Sequence, residues 1–479
     1  MKSKKVLDQT KTPFLDAVER YVEKGLVPFH TPGHIQGRDI LERASNLYSQ
    51  PLLYDLAEVD YPEGAHDYEI ARKEAEILLA DLYGMERSFF LINGTTEGIH
   101  ALFMAFFSQD GTQKKILLPR NSHRAAVGGL ILTGAKPVWV YPEIDSELGL
   151  ATVCRTEDLL EHTDVDGAFH LYPNYYGLCQ NLDEQIISGV YNLVDEAHGP
   201  HLRFSERLPK SAIDSEITAS VQSAHKILTA LTQSSWLHVK SKDAILAIER
   251  ALWLIESTSP NFILWSSLDA ARALEAKNPD RWDQALDRVL TFREKLKNIP
   301  GLTLFEPGVN HPEVHSFDPF KLVVSGRKAG LNGFALRDEL RLRGIVPELA
   351  EPGFVLFLLT PAHTQKDLGF LFDALQHIFK GRKPVEGNTE QVFFYPRLNA
   401  HLTPKEAYFA ESRKVSLRDS AGLVSVEMIT PYPPGIPLLM PGEEITKEVI
   451  ELIQYYKELG MQLRGFEDEK AEFIRVVAK

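Results

Sequence analysis

Apolar positions along the chain recur first at helical spacing and then in short runs, and from Tyr68 to about Lys240 these two patterns alternate. Residues 70–83 carry apolar side chains at helical spacing and stop at Gly84, a normal helix terminator. Residues 88–92 form a short apolar strand, and Asn93-Gly94-Thr95-Thr96 turns it into an apolar helix reaching Phe107. Further strands are predicted at 116–118, 137–141, 168–171, 191–194 and 219–222. Short apolar strands separated by helices imply a parallel sheet covered on both faces.

A long helical region begins within 257–273 and contains Leu268, Ala271 and Leu274. After Pro300 the rhythm changes to a strand at 321–324, a helix at 334–342, a strand at 354–359 and a helix at 368–379, which describes a smaller α/β domain. Residues 380–388, rich in charge, Pro and Gly, read as a linker. Beyond Tyr395 come a helix near 404–414, a Pro-rich turn and a helix near 446–459, taken as a C-terminal α+β domain. A chain of 479 residues exceeds one ordinary core, so the expected division is an N-terminal segment to residue 67, a large domain to 299, a small domain to 385 and a C-terminal domain from 386. The expected fold class is α/β, with the large domain built on a mainly parallel sheet.

Composition narrows the function classes. Lys and Arg number 52 against 66 Asp and Glu, a net charge of −14, which disfavours nucleic acid as the main partner. The two cysteines, Cys154 and Cys179, cannot build a disulfide framework, and no Cys/His spacing suggests a metal site. The basic start Met1-Lys2-Ser3-Lys4-Lys5 is followed by Asp8, Gln9 and Thr10 rather than an apolar run, so a signal peptide is not expected. No stretch is long and apolar enough to span a bilayer, and the expectation is a cytoplasmic protein without a membrane partner.

Three strand ends carry chemistry. Asn93-Gly94-Thr95-Thr96 sits where a strand passes into a helix; exposed N–H groups, the positive helix end and two hydroxyls make an anion site, and simple N-capping by Thr is the competing reading. Asp195-Glu196-Ala197-His198 follows a strand, and an acid there points into the crevice where such sheets bind ligands. The four letters match a helicase box, but no Gly-x-x-x-x-Gly-Lys-Ser/Thr loop exists to hold a nucleotide. A carboxylate paired to a pyridinium nitrogen and an acid capping the next helix both remain open for this motif taken singly. Lys226, in Ser223-Ala224-His225-Lys226, follows the strand 219–222; a strand-end lysine suits an imine-forming amine, although a lone lysine is ordinarily a solvated surface residue. The order of the three (anion turn, acid, lysine) favours chemistry. His123, which could stack on a planar cofactor, falls between them, and a histidine satisfied within its loop is the alternative.

These residues lie in motifs that together resemble the Orn/Lys/Arg decarboxylases of the aspartate-aminotransferase fold. The motifs are His30-Thr31-Pro32-Gly33-His34 with Gly37, Phe89 to Thr96, Pro119-Arg120-Asn121-Ser122-His123, Pro173-Asn174-Tyr175-Tyr176-Gly177 and Asp195-Glu196-Ala197-His198-Gly199. They continue with Val221 to Lys226, Thr229 to Gln233, Ser257-Thr258-Ser259-Pro260, Pro431-Tyr432-Pro433-Pro434-Gly435-Ile436-Pro437 and Pro441-Gly442-Glu443. The resemblance implies pyridoxal 5'-phosphate held as a Schiff base on Lys226, its phosphate on Thr95, Thr96 and Ser223 with Thr258 from a partner subunit. It further implies Asp195 at the ring nitrogen, His123 stacked on the ring, His198 lining the site, and His225 or Lys226 returning a proton to Cα. Glu443 is implied as a partner for the substrate's distal cation, with capping of the helix at Thr446 as the alternative. The implied reaction is decarboxylation of a basic amino acid, arginine before lysine or ornithine, in polyamine metabolism, by a homodimer or larger homo-oligomer of the short form. Transamination or aldol cleavage on the same fold, and a non-catalytic regulatory relative, stand as alternatives. Three departures bear on activity: His123-Arg124-Ala125 in place of His-Lys-Ser, Asn174 in place of Thr, and Glu58-Val59-Asp60-Tyr61 ahead of Pro62.

Overall fold

The computed structural model describes residues 7–57, 67–108, 111–382, 396–432 and 435–478. Among them, eight strands precede residue 240: β1 (Arg87–Leu91), β2 (Lys115–Pro119), β3 (Lys136–Val140), β4 (Gly167–Leu171), β5 (Leu178–Cys179), β6 (Tyr191–Asp195), β7 (Ala219–Gln222) and β8 (Ser235–Val239). Five shorter or antiparallel strands follow in the middle of the chain: β9 (Thr303–Leu304), β10 (Ser316–Phe317), β11 (Lys321–Ser325), β12 (Leu349–Glu351) and β13 (Phe354–Leu358). The C-terminal part adds β14 (Ser412–Ser416), β15 (Thr430–Tyr432), β16 (Gln462–Arg464) and β17 (Phe473–Val477).

The chain falls into two compact units, neither of them one stretch of sequence. The first comprises Met1–Leu102, Leu193–Glu206 and Lys210–Trp282. It carries the strands β1-β8-β7-β6 of the large, mainly parallel sheet. β6 and β7 run parallel, whereas β8 is antiparallel to both β1 and β7. β8 is not predicted from the apolar pattern, because Ser235 and His238 break the run, yet all five of its residues are buried. Helix Pro13–Glu23 packs on helices Asp67–Tyr83 and Phe262–Lys277. Its Phe14 is fully buried, edge-on to Phe262 and Trp265, and the Phe14 N–H donates to Asp269 Oδ2 at 2.9 Å. Asp269 is itself paired with the buried Arg272, so the N-terminal segment is part of this core. The helical region expected from 257 begins at Phe262, because Asn261 caps it by accepting from the Leu264 N–H.

The second unit comprises Phe103–Asn192, Arg207–Pro209 and Asp283–Lys479. Its share of the large sheet is β4-β2-β3, parallel throughout. The stretch after Pro300 forms a four-stranded sheet, β12-β13-β11-β9, antiparallel at every pairing, with helices Gly333–Arg341 and Gln365–Phe379. In the C-terminal part the helix expected near 404–414 stops at Tyr408, and Ser412–Ser416 instead pairs with β17. That pairing joins segments about sixty residues apart, which local spacing does not report. Helix Lys447–Glu458, in its predicted place, covers a core of Ile429, Leu438, Leu439, Ile445, Val449 and Ile453. The expected linker at 380–388 lies largely outside the described residues, as do Pro433, Pro434 and the stretch from Glu58 to His66.

Candidate active site

Three strand exits of the first unit converge in chemistry. β1 passes into helix Gly94–Phe107, β6 ends on Asp195, and β7 ends at Gln222, one residue before Ser223. Thr95 Oγ1 and Ser223 Oγ lie 3.3 Å apart, and the Gly94 N–H donates to the Gln233 carbonyl at 2.8 Å. The hydroxyls of Thr95 and Ser223 stand beside the N-terminus of a 14-residue helix, with Thr96 next in line, a place where the positive helix end favours negative charge. The exits of β6 and β7 are joined by main-chain bonds, Glu196 N–H to the Val221 carbonyl at 2.9 Å and Ser223 N–H to the Ala197 carbonyl at 3.3 Å.

Asp195 is buried, and its Oδ1 accepts from the Ala197 N–H at 3.1 Å. Burial raises its carboxyl above the usual range, while the Lys226 charge and the Ala197 bond pull the other way. Lys226 Nζ stands 3.0 Å from Nε2 of the buried His198. His225 is half-buried and its Nδ1 donates to the Ser234 carbonyl at 2.9 Å, which fixes the tautomer. Burial lowers the His225 pKa, so at neutral pH the ring is uncharged. Thr258 is exposed, in the loop that precedes Asn261.

Glu196, beside Asp195 in the same motif, is a residue whose part the motif alone does not reveal. Fully buried, it accepts from Ser211 Oγ (2.6 Å), the Ala212 N–H (2.8 Å), Ser220 Oγ (3.1 Å) and Gln222 Nε2 (2.8 Å). Gln222 Oε1 in turn accepts from His238, whose other ring nitrogen meets Ser88 Oγ at 2.8 Å. The network braces the two strand exits that carry Asp195 and Lys226. Burial pushes Glu196 up to about 7 against the pull of the four hydrogen bonds. Glu196→Ala leaves four buried donors without an acceptor and is expected to cost about 3 kcal/mol or more, read as a fall in the urea midpoint. A change within about 0.5 kcal/mol, the ordinary range for a surface substitution, would contradict the bracing role.

His123 belongs to the second unit. It is the N-cap of helix Arg124–Thr133, its Nδ1 accepting from the Ala125 N–H at 3.3 Å, and Gly435 lies against its ring. Glu443 does not cap the helix that follows it; Thr446 does, accepting from the Val449 N–H. Glu443 is buried and its Oε2 accepts from Arg120 Nη2 at 2.9 Å. The Asn174 departure has a local explanation. Its Oδ1 accepts from Tyr176 and Leu178 N–H, and its Nδ2 donates to the carbonyls of Ala151 and Thr152. A threonine hydroxyl cannot make four such bonds. Arg124 is exposed in the first turn of its helix.

Among the described residues no group of His, Cys, Asp and Glu is disposed to hold a metal ion, and no helix is long and apolar enough to cross a membrane. Fold and site together define an α/β protein with a lysine amine, a buried acid and paired hydroxyls at strand exits of one sheet. Comparison with known proteins makes this specific. Residues 12–367 match the major domain of the Orn/Lys/Arg decarboxylases and residues 388–471 match their C-terminal domain. The arginine decarboxylase of Bacillus subtilis is 30% identical over 98% of this chain and 99% of its own, and that of Bacillus anthracis 32% identical over 98% of each. The constitutive lysine decarboxylase of Escherichia coli shares the fold, with a TM-score of 0.81 at 22% identity over 98% of this chain and 82% of that one. The chain belongs to the Orn/Lys/Arg decarboxylase family.

Proposed function

We propose that the chain decarboxylates a basic amino acid, arginine in the first place, using pyridoxal 5'-phosphate bound covalently to Lys226. The observation that carries this reading is the set of groups at the exits of β1, β6 and β7, in a chain that matches arginine decarboxylases over nearly its whole length. The donor set fits the cofactor: a lysine amine, a buried carboxylate near it, and paired hydroxyls at a helix N-terminus. Thr95, Thr96 and Ser223 would hold the phosphate, with Thr258 supplied by a second copy of the chain. Asp195 would keep a proton on the ring nitrogen, His123 would stack on the ring and His198 would line the site.

The cofactor supplies a sink for the electron pair left at Cα as carbon dioxide departs. The chain's own part would be to orient the substrate so that the Cα–carboxylate bond is the one that breaks, and to return a proton to Cα from His225 or Lys226. The neutral state of His225 favours Lys226 as the donor at neutral pH. The same reading includes a homodimer or larger assembly, a cytoplasmic place in polyamine metabolism, and the four-part domain division at 67, 299 and 385. Carbon dioxide release from arginine, lysine and ornithine tests it, with arginine expected to give the highest kcat/KM. Release from none of the three would sink the decarboxylase reading and return transamination or aldol cleavage as the reactions to assay.

A further inference from the structure

We infer that Arg120 and Glu443 form a clamp that sets the His123 ring, which makes Glu443 a positioning residue rather than the reader of the substrate's distal charge. The inference rests on the proposal that His123 stacks on the cofactor. Arg120 is 1% exposed and Glu443 2%. Arg120 Nη1 donates to the Pro437 carbonyl at 2.7 Å; Nη2 donates to the Leu438 carbonyl at 3.2 Å and to Glu443 Oε2 at 2.9 Å. The same Oε2 accepts from the Met440 N–H at 2.8 Å, and the guanidinium lies 5.7 Å from the centroid of the Trp139 ring. The segment 437–443 is thereby fastened to the residue that immediately follows β2, three places before His123.

The fastening delivers Gly435 to His123. The Gly435 carbonyl accepts from the Arg124 N–H at 3.4 Å, and a Cβ at 435 would stand 3.5 Å from His123 Cδ2 and Nε2. Gly435 has φ +97° and Gly442 φ +93°, and a Cβ at 442 would come within 2.2 Å of the Leu402 carbonyl oxygen, so each glycine is demanded by the path of this segment. Charge argues in the same direction. A buried carboxylate already paired with a guanidinium offers an arriving cation no net negative charge, and drawing it away would strand Arg120. The clamp accounts for the spacing between the Pro-Pro-Gly-Ile-Pro and Pro-Gly-Glu motifs: one end touches His123 and the other holds the arginine that anchors it.

The test uses the reconstituted holoenzyme with Glu443→Gln and Gly435→Ala, each checked for folding by circular dichroism. Cofactor absorbance follows the binding of arginine and of citrulline, its uncharged isostere. Glu443→Gln is expected to weaken both ligands by the same factor, about ten-fold, and to shift the pH midpoint of the cofactor band. Gly435→Ala, which leaves both charges in place, is expected to give the same signature and keeps the question answerable if Glu443→Gln does not fold. A selective loss of arginine affinity in Glu443→Gln, with citrulline unchanged, would overturn the clamp and make Glu443 the distal-charge reader. So would two folded variants with unaltered band and affinities. Absence of the cofactor band in the unsubstituted protein would instead defeat the proposed function itself, and the clamp with it.

Discussion

Lys226→Ala is expected to abolish covalent capture of pyridoxal phosphate and to lower decarboxylation on the order of 10³-fold or more. In the proposed function the lysine would serve twice, as the amine that holds the cofactor and as the group that returns a proton, and no neighbour offers a second amine. His198 Nε2, 3.0 Å away, has no amine to offer, and His225 is occupied with the Ser234 carbonyl and held neutral. Borohydride treatment followed by mass spectrometry should find the reduced adduct on Lys226 in the parent chain and on no residue in the variant. An adduct of equal yield on another lysine would refute the assignment. Added primary amines should restore part of the activity if the loss is chemical rather than structural.

Asp195→Asn is expected to separate activity from stability. Decarboxylation should fall by about 10²- to 10³-fold, the usual scale for removing a preorganised electrostatic partner. The fold should hold or become firmer, because Asp195 is a buried carboxylate with one main-chain hydrogen bond, whose burial disfavours its charge. The sign follows from the raised pKa. The native state binds the Asp195 proton more tightly than the unfolded chain, so this group's contribution is fully present below the ordinary value of 3.8 and is lost as pH rises through the native value. Unfolding of the cofactor-free proteins from acid to neutral pH should show the parent losing ground to the variant as pH increases. A variant that loses stability in parallel with activity would show that Asp195 is mainly a structural acid.

The order of anion turn, acid and lysine was legible because each sits where a short apolar strand ends, a pattern that needs no knowledge of distant pairing. Asp195, Ser223 and Lys226 could be placed at strand exits on that basis alone. The antiparallel β8 could not, since burial of His238 depends on partners in Gln222 and Ser88 that only the folded sheet supplies. Nor could β14, whose partner β17 is remote in sequence. Glu196 and Arg120 lie within motifs, but the four donors around the first come from the next strand and its approach, and the three acceptors around the second lie more than 300 residues on. Charged residues buried by such networks look, in sequence, like any solvated Glu or Arg. A change of helix and strand rhythm follows the order of the sequence, whereas the compact units are each stitched from three separate segments.

Anchoring of Phe14 by Asp269 also bears on how the protein is made. The two residues are 255 positions apart, so at about 5–20 residues per second the helix Pro13–Glu23 leaves the ribosome roughly 13–50 s before its acceptor is synthesised. Throughout that interval Phe14, Val18 and Tyr21, all buried at the end, have no finished surface to cover them. Synthesis from one end and closure by a distant acceptor make the N-terminal helix dependent on what shields a growing chain.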